Sequence, residues 1–100
     1  DPTAFLEAAR QSAAYSRVMD TKAAKMAARD FTPQSHIAQT LKDAELILRE
    51  AKRDNLRLPM TSVQTALLRA AIALEGPDAD STAVIAAICH AQARRPKDFR

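Results

Sequence analysis

The chain has 100 residues, one glycine, one cysteine and a formal net charge of +3. This length suits one domain with one core and is too short for a cofactor domain plus a substrate domain. A glycine-rich nucleotide-binding loop is excluded within it, because such loops need several glycines. The cysteine cannot form an internal disulfide or a thiolate zinc site, and no apolar run is long enough to span a membrane.

Apolar residues make up 47% of the chain but aromatic residues only 4%. Alanine dominates the apolar set, which favours helices packed on helices over strands. We therefore expect an all-α fold, a compact bundle of about five helices, in a soluble cytoplasmic protein. Acidic residues lie among the basic ones and few aromatic residues are present for base stacking, so the charge predicts a solvated surface and no nucleic-acid partner.

The first predicted helix has Asp1 as its N-cap and Pro2 at its first position, and it ends near Gln11. A second helix is expected to begin at Ser12 or Ala13. Its larger apolar contacts are expected to be Tyr15, Val18 or Met19, and Met26. Its solvent-exposed side chains are expected to be Asp20, Lys22, Lys25 and Arg29.

The third helix carries the clearest periodicity. Pro33 disfavours helix at the residue before it and predicts a turn over residues 30–34, so this helix runs from about Ser35 to Asn55. Leu46 and Ile47 widen its apolar face. One continuous stripe along it is formed by Ile37, Leu41, Ala44, Leu48 and Ala51. This pattern predicts the central helix of the domain.

Two further helices complete the pattern. Pro59 begins the fourth, after a connection in which Leu56 and Leu58 are expected to turn inward, and Gly76-Pro77 ends it. The fourth helix is predicted to be largely buried, with a stripe of Val63, Leu67, Ala70 and Leu74 that Leu68 and Ala71 widen. Asp80 or Ser81 is the predicted N-cap of a fifth helix that continues through Val84, Ile85 and Ile88 to about Gln92. Residues 94–100 form a basic tail that we expect to fray, which leaves residues 1–93 as the helical domain.

Metal and nucleophile sites are not predicted. His36 and His90 have no acidic or cysteine partners at metal-ligand spacing. Cys89 and His90 are adjacent, and neighbours on a helix point about 100° apart, so they do not form a nucleophile pair. Cys89 is expected to be a small core residue. No catalytic residue is predicted in this chain.

Lys42 and Asp43 remain as candidates on the third helix. Lys42 lies next to the apolar stripe, and from the residues alone it has two interpretations. Its stem covers the rim of the core while its ammonium reaches water, or it serves a binding site.

A family resemblance gives Lys42 and Asp43 a role. The ordered elements Asp30-Phe31-x-Pro33, Lys42-Asp43, Leu58-Pro59 and Asp80-Ser81-Thr82-Ala83, over roughly residues 12–88, resemble the C-terminal helical domain of the β-hydroxyacid dehydrogenases, the 3-hydroxyisobutyrate dehydrogenase group. The resemblance implies a fold like the C-terminal domain of 6-phosphogluconate dehydrogenase. It also implies that Lys42 and Asp43 face the cofactor cleft, where a lysine neutralises cofactor phosphate or substrate carboxylate.

The resemblance further implies a larger parent enzyme. In this family a Rossmann domain and a catalytic lysine precede the helical domain, and neither is found in these residues. The parent would be an NAD- or NADP-dependent oxidoreductase of a small β-hydroxyacid, in which this domain closes the cleft and supports a homodimer or higher oligomer. The chain alone would bind no cofactor and be inactive. Many members have an aromatic residue where this chain has Ser35, so the resemblance does not supply an aromatic wall of the substrate pocket at that position.

Two alternatives stay open at the level of sequence. One is a free-standing helical module that binds a protein partner. The other is the equivalent domain of an imine reductase, which shares this helical domain. The gene sequence upstream of Asp1 would separate the dehydrogenase from the free-standing module, because a Rossmann fingerprint there would indicate the dehydrogenase class.

Overall fold

A computed structural model describes residues 1–93 of the chain, and in these residues it contains five α-helices and no strand. The helices are α1 Pro2–Arg10, α2 Arg17–Ala28, α3 Ile37–Arg53, α4 Pro59–Glu75 and α5 Val84–Ala93, with a 3₁₀ turn at Ser81–Ala83 leading into α5. The predicted all-α bundle is confirmed, while the predicted fraying of the basic tail lies outside the described residues. None of the helices described between residues 1 and 93 is long and apolar enough to cross a membrane.

The start of α1 follows the prediction. The Asp1 carboxylate accepts a hydrogen bond from the Thr3 amide at 3.1 Å, and Pro2 occupies the first turn. Gln11 caps the C-terminal end. The helix nevertheless touches the other described helices only slightly, so its position depends on few contacts.

Helix α2 begins at Arg17, and the prediction of a start at Ser12 or Ala13 is wrong. The Ser12 hydroxyl donates to the Ala9 carbonyl at 2.8 Å and accepts from the Ala14 amide at 3.2 Å. A serine that bonds to its own backbone in this way competes with helix formation. The chain resumes a helix only where Ser16 accepts from the Met19 amide as an N-cap.

This later start changes which α2 side chains are buried. Tyr15 falls in the turn, half-exposed, with its hydroxyl donating to Asp20 at 2.7 Å. The prediction that Tyr15 makes one of the larger apolar contacts is therefore wrong. Of the alternatives Val18 and Met19, Val18 is largely exposed and Met19 is the one that turns inward. Met19 and Met26 are half-buried, as expected.

The core lies between α3, α4 and the 3₁₀ turn with α5, and α4 packs against both α3 and α5. The predicted stripe of α3 is confirmed, since its members are buried or half-buried. Most core residues are alanines, which lets the helices approach closely. The buried cluster consists of Ile37, Ala44, Leu68, Ala71, Ala83 and Ala87.

Helix α4 buries the side of the predicted face that Leu68 and Ala71 form, and it leaves most of the predicted central stripe exposed. Its buried residues are Thr65, Leu68 and Ala71, while Val63 is 61% exposed and Leu74 is also exposed. Because α4 is apolar on several sides, periodicity alone does not select the side that meets α3 and α5. Thr65 is tolerated inside because its hydroxyl donates to the carbonyl of residue 61 at 2.8 Å.

The connections set the ends of these helices. Asn55 has a φ of 56°, and the Leu56 amide bonds to the Ala51 carbonyl at 2.8 Å, which closes α3. This turn leaves the Leu56 side chain exposed, so its predicted inward position is wrong. Gly76 ends α4 with a φ of 90°, a conformation that glycine adopts readily. The predicted N-cap at Asp80 is confirmed, although a 3₁₀ turn precedes α5.

Candidate functional site

Lys42 and Asp43 both lie exposed on the first half of α3. Asp43 accepts a hydrogen bond from the Gln39 side chain, one turn earlier, at 3.3 Å. Lys42 has no ion-pair partner among the described residues. The two side chains therefore present a cation and an anion to the outside of the domain.

The amides at the N-terminus of α3 are already occupied. The Ile37 amide donates to the Ala79 carbonyl at 2.8 Å, and the Ala38 amide donates to the Pro77 carbonyl at 3.2 Å. An unoccupied helix N-terminus is a common site for phosphate. Here an anion near α3 must instead be met by a side chain, and Lys42 is the nearby cation.

A polar groove of about 560 Å³ lies beside Asp43. It runs between the start of α3 and the loop that precedes the 3₁₀ turn. Two of its lining side chains contact each other, since His36 Nδ1 lies 3.5 Å from a carboxylate oxygen of Asp78. Its lining residues are Ser35, His36, Ala38, Gln39, Thr40, Asp43 and Asp78. Hydroxyl, amide and carboxylate groups can hydrogen-bond a small polar ligand here.

Asp80 lies beneath this groove and is completely buried, with 0% of its surface exposed. One carboxylate oxygen accepts from the amides of Gln34 and Ser35 at 2.8 and 3.0 Å. The other accepts from the amide and hydroxyl of Thr82 at 3.1 and 2.8 Å. Lys22 Nζ lies 3.1 and 3.2 Å from the two oxygens. Among the described residues, no buried side-chain nitrogen or oxygen is left without a hydrogen-bond partner.

The charge of Asp80 follows from these bonds. Burial alone would raise the pKa of this carboxyl, because a charged group is disfavoured away from water. The hydrogen bonds from the amides of Gln34, Ser35 and Thr82 and from the Thr82 hydroxyl outweigh burial and hold the pKa of Asp80 well below its ordinary range. Asp80 is therefore an anion at neutral pH.

The predicted exposure of Lys22 and Lys25 is wrong. The Lys22 side chain is only 24% exposed because it reaches Asp80 across the bundle. Lys25 is also largely covered, and its ammonium donates to the Thr32 carbonyl at 2.8 Å. Sequence reasoning identified Asp80 as an N-cap but missed its burial and its lysine. The only available signal was the capping aspartate, and it does not identify the lysine that pairs with it.

The histidine and cysteine residues considered in the sequence do not form a site among the described residues. The described residues contain no group of three histidine, cysteine, aspartate or glutamate side chains that could hold a metal ion. His90 is exposed. Cys89 is only half-buried, with Arg29 Nη2 at 3.1 Å from its sulfur, so its predicted core position is met in part.

Exposed apolar residues continue from the polar pair. Leu46 and Ile47 lie one turn beyond Lys42 and Asp43 on α3 and are half-exposed, although they were predicted to widen the buried stripe. On α4, Met60 is 86% exposed beside the exposed Val63. Both α3 and α4 thus carry apolar side chains that the rest of the described domain leaves exposed.

A larger open cleft of about 880 Å³ lies at the other end of α3, around Leu48, Lys52 and Leu58. It is some ten residues, roughly 15 Å of helix, from Lys42. Lys52, Arg57, Asn55 and Ser62 also line it, but none of their side chains makes a hydrogen bond or an ion pair among the described residues. Size alone does not make this cleft the better candidate, because a binding site also needs polar groups that are held in place.

Comparison with known proteins supplies the family. A family model described as "NAD-binding of NADP-dependent 3-hydroxyisobutyrate dehydrogenase" matches residues 1–88. No curated protein matches the chain. The family match runs from α1 into α5 and confirms the resemblance to the 3-hydroxyisobutyrate dehydrogenase group. The chain therefore belongs to the family of NAD-binding domains of NADP-dependent 3-hydroxyisobutyrate dehydrogenases.

Proposed function

We propose that this chain is the C-terminal helical domain of a larger, cytoplasmic NAD(P)-dependent oxidoreductase that acts on a small β-hydroxyacid. In this proposal the domain closes one side of the cleft between itself and a Rossmann domain and supports a homodimer. The observation that carries it is Lys42, an exposed cation without an ion-pair partner in residues 1–93, in a chain of an NAD-binding family.

Lys42 supplies the positive charge of the cleft. Its ammonium would bind a phosphate of the cofactor or the carboxylate of the substrate, and such a charge-assisted hydrogen bond is about twice as strong as a neutral one. Asp43, held by Gln39 at 3.3 Å, stands beside it and accepts a hydrogen bond from a ligand hydroxyl. When bound, NAD(P) supplies the hydride-transfer chemistry.

The domain cannot hold the cofactor by itself. With one glycine it has no loop that lets backbone approach a pyrophosphate, and the first amides of α3 are bonded to carbonyls. A cradle for the phosphates therefore comes from the Rossmann domain of the parent. The isolated chain is expected to bind NADPH too weakly to detect.

Uncovered apolar surface supports the proposed assembly. Phe5 on α1 and Met60 and Val63 on α4 are largely exposed. Neighbouring apolar residues exposed on the surface of a domain are typical of faces that another domain or subunit covers. A free-standing interaction module would expose similar faces, but it gives no role to the membership of an NAD-binding family.

The test is kinetic and uses the full-length protein. With 3-hydroxyisobutyrate and NADP⁺, Lys42→Ala is expected to lower kcat/KM by at least about tenfold, equivalent to about 1.4 kcal/mol. The matched control is Lys52→Ala, an exposed lysine on the same helix. It is expected to stay within about twofold.

The outcomes separate the alternatives. Equal kcat/KM in the two variants would reject the role of Lys42. Absence of oxidation of any hydroxyacid, together with reduction of a cyclic imine by NADPH, would place the parent with the imine reductases. Absence of any cofactor-dependent activity would favour the interaction module.

A further inference from the structure

We propose that Asp80, held by Lys22, is a positioning residue that fixes residues 34–36 as one wall of the groove beside Asp43. Asp80 itself touches no ligand, because it is completely buried. It would act through the residues whose backbone it binds. This inference rests on the proposed function, since it assigns the groove to the substrate of that enzyme.

The first step is the location of the bonded amides. Asp80 accepts from the amides of Gln34 and Ser35, the last residues before the N-cap of α3. The side chains of Ser35 and His36 line the groove. Because an amide bonded to a fixed carboxylate fixes its peptide plane, the direction in which these side chains leave the backbone depends on Asp80.

The second step is that Asp80 fixes the opposite wall as well. Its own amide donates to the Phe31 carbonyl at 2.9 Å, and the Ser81 amide donates to the Ser35 carbonyl at 3.0 Å. Asp78, two residues before Asp80, contacts His36 at 3.5 Å, and both side chains line the groove. The position of this part of the groove is therefore set by the backbone bonds of residues 80 and 81, next to the bonds that the Asp80 carboxylate makes.

The third step concerns Lys22. The principal contact of α2 with the rest of the described domain is with the 3₁₀ turn, and the bond between Lys22 and Asp80 lies in that contact. A buried ion pair is seldom the most stable solution, since apolar residues of the same size are often as stable or more so. Such a pair is better explained as a contact that favours one arrangement of the backbone over others. Here the selected geometry is that of the groove walls.

The experiment uses the full-length protein with two variants and one control. Asp80→Asn replaces one accepting oxygen by an amide that cannot accept. Lys22→Met keeps the apolar stem of the side chain and leaves the amide bonds of Asp80 in place, and it is expected to fold because an unbranched apolar side chain suits this half-buried position on a helix. Arg17→Met is the control, an exposed cation at the start of the same helix. Circular dichroism establishes that each variant is folded.

Two readouts are needed. Hydrogen exchange of the peptide covering residues 34–36 is expected to be at least about tenfold faster in Lys22→Met than in the control, while exchange in α4 is unchanged. The KM for 3-hydroxyisobutyrate is expected to rise at least about fivefold, with kcat within about threefold of the wild type. Asp80→Asn, where folded, is expected to show larger changes of the same kind.

Each outcome decides the proposal. Unchanged exchange in Lys22→Met would show that Lys22 does not hold this wall, and faster exchange with unchanged KM would show that the wall does not shape substrate binding. Either result overturns the proposal while the proposed function stands, because Lys42→Ala tests that separately. An inactive wild type would overturn the proposed function, and the positioning role with it.

Discussion

Replacement of Leu68 by alanine tests which face of α4 forms the core. Leu68 is 3% exposed and lies in the buried cluster with Ile37 and four alanines. Deletion of a buried leucine side chain destabilises a protein by about 2–5 kcal/mol, with larger values where the cavity cannot collapse. The alanines of the cluster cannot fill the space, whereas larger apolar side chains packed against it, such as Leu41 and Ile72, can relax in part, so we expect about 3–4 kcal/mol for Leu68→Ala, the middle of that range.

The assay is thermal and chemical unfolding of the chain, with Val63→Ala as the matched control. In a domain of this size each kcal/mol shifts the Tm by about 4–8 °C, so Leu68→Ala is expected to lower it by at least about 12 °C. Val63 is 61% exposed, and its truncation is expected to change the free energy of unfolding by no more than about 0.5 kcal/mol. A loss for Val63→Ala as large as that for Leu68→Ala would refute the assignment of the buried face.

Three further outcomes are expected. Leu48, half-buried at the centre of the α3 stripe, should lose about 1–2 kcal/mol on change to alanine, measured by urea unfolding, and no loss would remove it from the core. Since the folded-state pKa of Asp80 is lowered, its stabilising effect is complete above the unfolded value of about 4 and is lost as the pH falls below it. The acid decline of Tm should therefore be shallower in Asp80→Asn than in the wild type, and equal declines would contradict this. The chain should sediment as a dimer or larger at high micromolar concentration, and a monomer there would count against the proposed homodimer.

The number and order of the helices were predictable from sequence because their signals are local. Asp1 and Pro2 start α1, Gly76 ends α4, and the spacing of Ile37, Ala44 and Ala51 defines the inner side of α3. The start of α2 was not predictable in this way. Whether a serine continues a helix or bonds to its own backbone depends on small differences that the pattern does not contain.

The buried side of α4 was predicted only in part, because Leu68 and Ala71 were expected at the edge of the buried stripe and lie at its centre. Leu67, Leu68 and Ala71 are all apolar, so the helix offers several faces of similar hydrophobicity. The choice among them is made by tertiary packing against α3 and α5. Thr65 makes the buried face hard to recognise in the sequence, because a polar residue is not expected in the core. It can be buried here since its hydroxyl bonds to a carbonyl one turn back.

The candidate site was predictable only in part. The resemblance pointed to Lys42 and Asp43, and both are exposed on α3. The network around Asp80 was not predicted, since it joins Lys22 to a residue 58 positions later. A pairing at that separation leaves no periodic trace in one sequence. Lys22 in particular looked like an ordinary surface lysine.

The most direct measurement of the central claim is the chemical reactivity of Lys42 in the full-length protein. The rate at which an acetylating reagent modifies each lysine is measured by mass spectrometry with and without saturating NADP⁺ and a hydroxyacid. If Lys42 faces the cleft, bound ligand should slow its acetylation by at least about tenfold, because an ammonium paired with an anion is covered and less readily deprotonated. Lys52, exposed at the other end of α3, should react equally with and without ligand. Unchanged reactivity of Lys42 under saturating ligand would contradict the claim that this face of the domain closes the cofactor cleft.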